Sequence, residues 1–180
     1  IARARDVIAT TCSDIAFLGG LIRHVLEGGH AFIDYVRAYT NAAFVVREEF
    51  RDTEDLDGLY SGFDPEAARY DAASWDFLRD ADGRPVRDET LAHPRCVWQL
   101  LRRHFARYTP EVVAEICGMP AEMLERVARA LVENSGRERT STICYAVGWT
   151  QHTTGVQNIR AAAILQLLLG NVGRPGGGIL

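Results

Sequence analysis

The 180 residues suffice for one domain with a sizeable core, and 47% hydrophobic with 24% charged residues is the composition of an ordinary globular protein. A formal charge of −4 excludes the broad basic surface that nucleic-acid binding needs. The longest apolar run, Ala161 to Leu169, is interrupted by Gln166 and falls short of the about 20 residues a bilayer span requires, so no direct membrane insertion is expected.

Along the chain, Ser13-Asp14 ahead of Ile15, Phe17, Leu18, Leu21, Ile22 and Val25 predicts a capped amphipathic helix, ended by Gly28-Gly29. A short second helix is expected over Ala31 to Ala38. Residues 40–94 lose regular periodicity among acidic and turn residues, which predicts a long irregular acidic insertion, either packed as a loop or laid over a partner surface. Trp98, Leu101, Phe105 and Tyr108 restore helical spacing, and Thr109-Pro110-Glu111 supplies a cap, a first-turn proline and an early acid for the next helix, which stops near Gly118. Pro120 opens another, with Met123, Val127 and Leu131 on one face, closed by Asn134-Ser135-Gly136. The four cysteines, Cys12, Cys96, Cys117 and Cys144, form no C-x-x-C pair and are expected to be buried small apolar residues rather than cluster or zinc ligands.

Thr140 to Val147 is the best strand candidate, short and rich in β-branched residues. Gly148 and Gly155 then bracket a polar turn, and a helix apolar nearly all round runs from Val156 to about Leu169. Strand, polar turn and buried helix make the unit of a doubly wound α/β sheet, in which ligands sit outside the carboxyl ends of strands near helix N-termini. Gly148 lets backbone approach a ligand closely, and Gln151 offers an amide suited to the edge of a heterocycle. His152, Thr153 and Thr154 add hydrogen-bonding capacity. On these residues alone a nucleotide-like or phosphate-bearing cofactor and an ordinary surface loop remain equal readings, because no G-x-G-x-x-G fingerprint is present. His152 stands without a second ligand at metal spacing.

Larger stretches carry a resemblance. Ala146 to Arg160, with Leu165-Gln166-Leu167-Leu168-Leu169-Gly170-Asn171 and Gly173-Arg174-Pro175-Gly176-Gly177-Gly178, resembles the large subunits of membrane-associated formate dehydrogenases. So do Tyr39-Thr40-Asn41-Ala42, Ser74-Trp75 and His93-Pro94-Arg95-Cys96-Val97-Trp98. The resemblance covers about Ser13 to Leu180, and residues 1–12 depart from it, lacking the arginine and glycine usual there. It implies an internal fragment of a longer enzyme, and the closing glycine run reads as a loop that continues.

The family binds molybdenum or tungsten between two molybdopterin guanine dinucleotides and a cysteine or selenocysteine, and oxidises formate to carbon dioxide. A [4Fe–4S] cluster removes the electrons. By this resemblance, residues 13–180 are part of an α/β domain that grips one dinucleotide, with Val147, Gly148, Trp149 and Gln151 as cofactor contacts. Ser13 and Asp14 stand where the family has a Gly-Thr-Asp turn whose acid can pair with a guanine edge; Asp14 reads equally as a helix-capping acid. No catalytic or metal-ligating side chain is assigned. The catalytic cysteine or selenocysteine, followed by histidine in the family, lies upstream, no cysteine here precedes a histidine, and the cluster cysteines lie further upstream. An active-site arginine is expected shortly beyond Leu180. Arg174 suits a helix C-terminus, and Arg160 suits a buried pairing with an acid or carbonyl.

The implied partners are formate, the remaining domains of the large subunit and an iron–sulfur electron-transfer subunit, in a periplasmic or membrane-associated complex. The chain alone is expected to be inactive, and poorly soluble or partly unfolded. Two other readings compete: a segment of a nitrate or polysulfide reductase built on the same scaffold, or a non-enzymatic nucleotide-binding module.

Overall fold

A computed structural model describes residues 13–180; the expectations for residues 1–12, Cys12 included, lie outside them. The chain divides into two compact units, one formed by residues up to Ala38 with Phe105–Leu180, the other by Tyr39–His104.

The first unit is built on α1 (Asp14–Glu27), followed by α2 (Ile33–Tyr39). Leu18, Gly19, Gly20, Leu21, Ile22, Val25 and Leu26 of α1 are buried, so this helix is enclosed on most sides. Two glycines make that possible. A β-carbon on Gly19 would stand 2.6 Å from the ring of Tyr108, and one on Gly20 would stand 2.9 Å from Val113. After α3 (Val97–Phe105) come α4 (Pro110–Cys117) and α5 (Ala121–Glu133), both packed on α1. The cap of α4 forms as its sequence dictates. The Thr109 hydroxyl accepts from the Val112 N–H, and Gly118 ends the helix in the left-handed conformation at φ 63°.

Strand β3 (Thr142–Ile143) leads through a single helical turn, α6 (Val147–Thr150), into α7 (Gly155–Leu168), which packs along α1 and returns to strand β4 (Gly178–Ile179). The two strands pair in parallel, Thr142 opposite Gly178 and Ile143 opposite Ile179, and the ladder continues as Tyr145 N–H donates to Leu180 O at 2.8 Å. This is a β-α-β unit within a mixed helix and small-sheet fold. The strand is shorter than the run Thr140 to Val147 suggests, because Ala146 leaves the extended ladder and Val147 starts the helical turn.

In the second unit β1 (Phe63–Asp64) pairs antiparallel with β2 (Arg69–Tyr70), and isolated bridges such as Val45 to Cys96 and Val46 to Phe77 hold the remainder. Its core contains Ala43, Val45, Leu91, Cys96 and Trp98. The acidic residues here make turns. The carboxylates of Asp52, Asp64, Asp71, Asp80 and Asp88 each accept the backbone N–H two residues on, at 2.9–3.0 Å. Cys96 and Cys117 are buried as expected, whereas Cys144, just after β3, is exposed. Among the described residues no helix is long and apolar enough to cross a membrane, and no group of three or more metal-ligating side chains occurs.

Candidate functional site

The turn between β3 and α7 closes on itself. Thr150 N–H donates to Ala146 O, Gln151 N–H to Val147 O at 3.1 Å, His152 N–H to Trp149 O at 3.3 Å and Gly155 N–H to His152 O at 2.9 Å. Gly155 is required at the junction, since a β-carbon there would collide with the carbonyl oxygen of Trp149. Trp149 stacks on Tyr145, with centroids 5.5 Å apart and planes at 21°. Its indole Nε1–H donates to Asp14 Oδ1 at 2.9 Å. That bond joins the start of α1 to the turn, so two segments singled out separately in the sequence meet.

The other site candidates divide by exposure. Val147 is 62% exposed, and Gly148 and Gln151 are exposed beside it. A β-carbon built on Gly148 meets no atom within 4 Å, so the helical turn presents bare backbone to open space. Trp149 and Asp14 are half-buried. Ser13 is buried, and its carbonyl accepts from Ala16, Phe17 and, at 3.7 Å, the thiol of Cys117, so it anchors the helix start rather than facing outward. His152 is half-buried in the turn.

Residues outside the motif hold it in place. Gln166, fully buried in α7, donates through Nε2 to Ser141 O at 2.9 Å and Gly178 O at 2.6 Å. Asn171 donates to Gln166 Oε1 at 2.7 Å and to the hydroxyls of Ser135 and Ser141, and accepts from Ser141 N–H at 3.2 Å. Together these amides lock β4 beside β3 and hence fix where the turn begins. The polar interruption in an apolar helix was the available sequence signal for this network. Tyr145, the stacking partner, gave none. Asn158, buried in the first turn of α7, has no hydrogen-bond partner for Oδ1 among the described residues.

Of the two arginines weighed from sequence, Arg174 takes the expected place at a helix C-terminus and Arg160 does not take the one expected of it. Arg174 donates to the carbonyls of Gly136, Gly170 at 3.1 Å and Arg137 at 2.6 Å, which ties the loop after α7 to the end of α5. Arg160, expected to be buried, lies exposed on α7.

No family model matches the chain. Among curated proteins it is 50% identical over 180 residues, 99% of its length, to the nitrate-inducible formate dehydrogenase major subunit of Escherichia coli strain K12. It is 50% identical over 167 residues, 93% of its length, to formate dehydrogenase subunit alpha of Megalodesulfovibrio gigas. To formate dehydrogenase 2 subunit alpha (cytochrome c-553) of Nitratidesulfovibrio vulgaris strain Hildenborough it is 47% identical over 167 residues, again 93% of its length. The chain belongs with a segment of the formate dehydrogenase large subunits. It spans 17% of the first of these relatives and 16% of each of the others. The likeness extends from α1 through the turn to β4, so the joined Asp14–Trp149 region lies within the stretch shared with formate dehydrogenases.

Proposed function

We propose that this chain helps to hold one molybdopterin guanine dinucleotide in a formate dehydrogenase large subunit that oxidises formate to carbon dioxide. Residues 13–180 then form part of a doubly wound α/β domain, with 40–94 as its acidic insertion. The observation that carries the reading is the joining of Asp14 to the Val147–Gln151 turn through Trp149, in a segment 50% identical to a formate dehydrogenase.

The residues present fit such a group. Gly148 leaves backbone open to close approach, and Gln151 offers both an amide donor and an acceptor beside it. Asp14 gives one carboxylate oxygen to Trp149, and Oδ2 is left to accept from a guanine N–H. The N-terminal amides of α7, a helix of 14 residues, favour phosphate. Trp149 positions Asp14 against the turn, and the Tyr145 stack holds the indole. The metal–pterin pair, when bound, supplies the two-electron redox chemistry, with molybdenum or tungsten, a cysteine or selenocysteine ligand and a [4Fe–4S] cluster held by other parts of the large subunit. Formate, the remaining domains and an iron–sulfur subunit are the partners of the whole enzyme, in a periplasmic or membrane-associated assembly.

Gly148→Val in the full-length large subunit tests this reading. The substituted side chain enters open space, so the fold is expected to keep its thermal midpoint. Bound pterin and acid-released guanine nucleotide should fall at least about ten-fold, the loss that corresponds to about 1.4 kcal/mol of binding. Undiminished cofactor content and formate oxidation would sink the assignment of this turn.

A further inference from the structure

A buried polar atom beside the cofactor turn is left over by the roles assigned so far. Asn158 is 2% exposed, and its Oδ1 has no hydrogen-bond partner among the described residues. Buried polar side chains are paired in the large majority of cases, because an unpaired acceptor gives up its bonds to water and gains nothing in return. An apolar side chain would avoid that loss. Ala161, Ala162 and Leu165 lie on the same stripe of α7 and are buried too, so the stripe is apolar except at its N-terminal end. Asparagine there costs the chain stability until a donor arrives.

A further domain laid over this surface would meet other residues. Val156, 62% exposed, and Gln157 face outward from the first turn of α7, whereas Asn158 is already enclosed by this chain. The approach is from the N-terminal end of the helix. A helical side chain leans back over the turn that precedes its own Cα, so the Asn158 carboxamide lies toward Gln151–Thr154. That stretch is held by long bonds. Gln151 N–H to Val147 O at 3.1 Å and His152 N–H to Trp149 O at 3.3 Å both exceed the about 2.9–3.0 Å usual for such pairs. A ligand that displaces it reaches Asn158 and leaves the Trp149–Asp14 bond intact.

The group that meets this oxygen must be a donor. α1 and α7 run in the same direction: Asp14, at the start of α1, bonds to Trp149 ahead of α7, and Phe32, beyond the end of α1, donates its N–H to Leu168 O at 2.8 Å. Asp14, Asn158 and the first amides of α7 therefore share one end of the helix pair. Phosphate alone suits the amides but brings no hydrogen to Asn158. A guanosine phosphate offers one group to each: a base edge to the carboxylate, ribose hydroxyls to the carboxamide oxygen and phosphate oxygens to the N–H groups.

We infer that Asn158 is a further cofactor-binding residue, whose Oδ1 accepts a hydrogen bond from a ribose hydroxyl of the bound dinucleotide. This rests on the cofactor reading of the turn.

The test uses the full-length large subunit, prepared with and without its cofactor, and the variants Asn158→Leu and Asn158→Ala, which bracket the size of asparagine. In the loaded preparation, bound pterin and acid-released guanine nucleotide should fall at least about five-fold in both, the scale of one lost hydrogen bond. In the cofactor-free preparation, the thermal midpoint of at least one variant should stay level or rise, because an unpaired buried acceptor has been removed. A midpoint lowered in both variants overturns the inference, since the oxygen would then have its partner within the protein, in this segment or in the remaining domains. Cofactor content that stays full in a variant of undiminished midpoint overturns it as well. The wild type separates the two claims. If it carries neither pterin nor guanine nucleotide, the reading of the turn fails; if it is loaded and both variants load equally, only the role of Asn158 fails.

Discussion

Asp14 and Trp149 lie 135 positions apart in the sequence and share a hydrogen bond of 2.9 Å. The energetic weight of that bond is measurable without a ligand. Trp149→Phe keeps an aromatic ring to stack on Tyr145 and deletes only the N–H donor, while Asp14→Ala deletes the acceptor. A double-mutant cycle followed by urea unfolding should give a coupling of about 1.5–3 kcal/mol, the range for a hydrogen bond to a charged group, at the low end because both residues are half-buried. Strictly additive losses would show that the two side chains do not depend on each other. The bond also bears on Asp14 as a guanine contact. With one oxygen already engaged, the carboxylate is held in a fixed orientation, and the same bond that organises the turn therefore restricts how a base edge can meet it.

Among the elements, the helices were legible because their signals are local. Periodic apolar residues, Thr109 ahead of Pro110, and Gly118 mark α4 without reference to the rest of the chain. Strand β3 was less so. The apolar run Thr140 to Val147 reads as continuous strand, yet the stack of Trp149 on Tyr145 and the bond to Asp14 are tertiary contacts that accompany its coiling after Ala146. The site residues Gly148 and Gln151 were visible as turn chemistry, while Tyr145 was indistinguishable from any strand aromatic. Gln166 shows what pattern alone leaves out. Leucine there would complete an apolar helix, but would leave Ser141 O, Gly178 O and the Asn171 amide short of partners. Each such loss costs roughly 1–3 kcal/mol, so Gln166→Leu is expected to lower unfolding stability by at least about 2 kcal/mol despite its greater hydrophobicity. Hydrogen exchange should quicken at Leu180, whose N–H donates to Ile143 O in the β3–β4 ladder. A variant as stable as the parent, with unchanged exchange there, would show that the amide network does not hold the strands.

For the molecule as a whole, the titrating groups give a two-stage response to acid. His24 has its pKa pushed below 6.5 by burial, by its neighbour His30 and by Arg129, against an opposing pull from Glu125. His24 and His30 stack with centroids 5.2 Å apart, so protonating both would set like charges together. His104 is also pushed below 6.5 by burial, with Asp52 pulling the other way. A depressed histidine pKa means that the unfolded chain binds protons more readily. Stability from both groups is therefore complete above about pH 6.5 and declines as pH falls from there through their folded values. The second stage comes from carboxylates. The Thr90 hydroxyl, with backbone N–H groups, lowers Asp88 to about 2, Arg79 lowers Asp76, and backbone bonds lower Glu49 and Glu111. Their contribution is held above the ordinary carboxylate range and lost below it, continuing to about pH 2 for Asp88. Urea unfolding across this range should show stability falling first below about pH 6.5 and again below about pH 4.5. His24→Gln and His104→Gln together should flatten the upper stage and leave the lower one in place, because the carboxylates and their donors are untouched. Stability that stayed level down to about pH 5 in the parent chain would contradict the assignment of these two histidines.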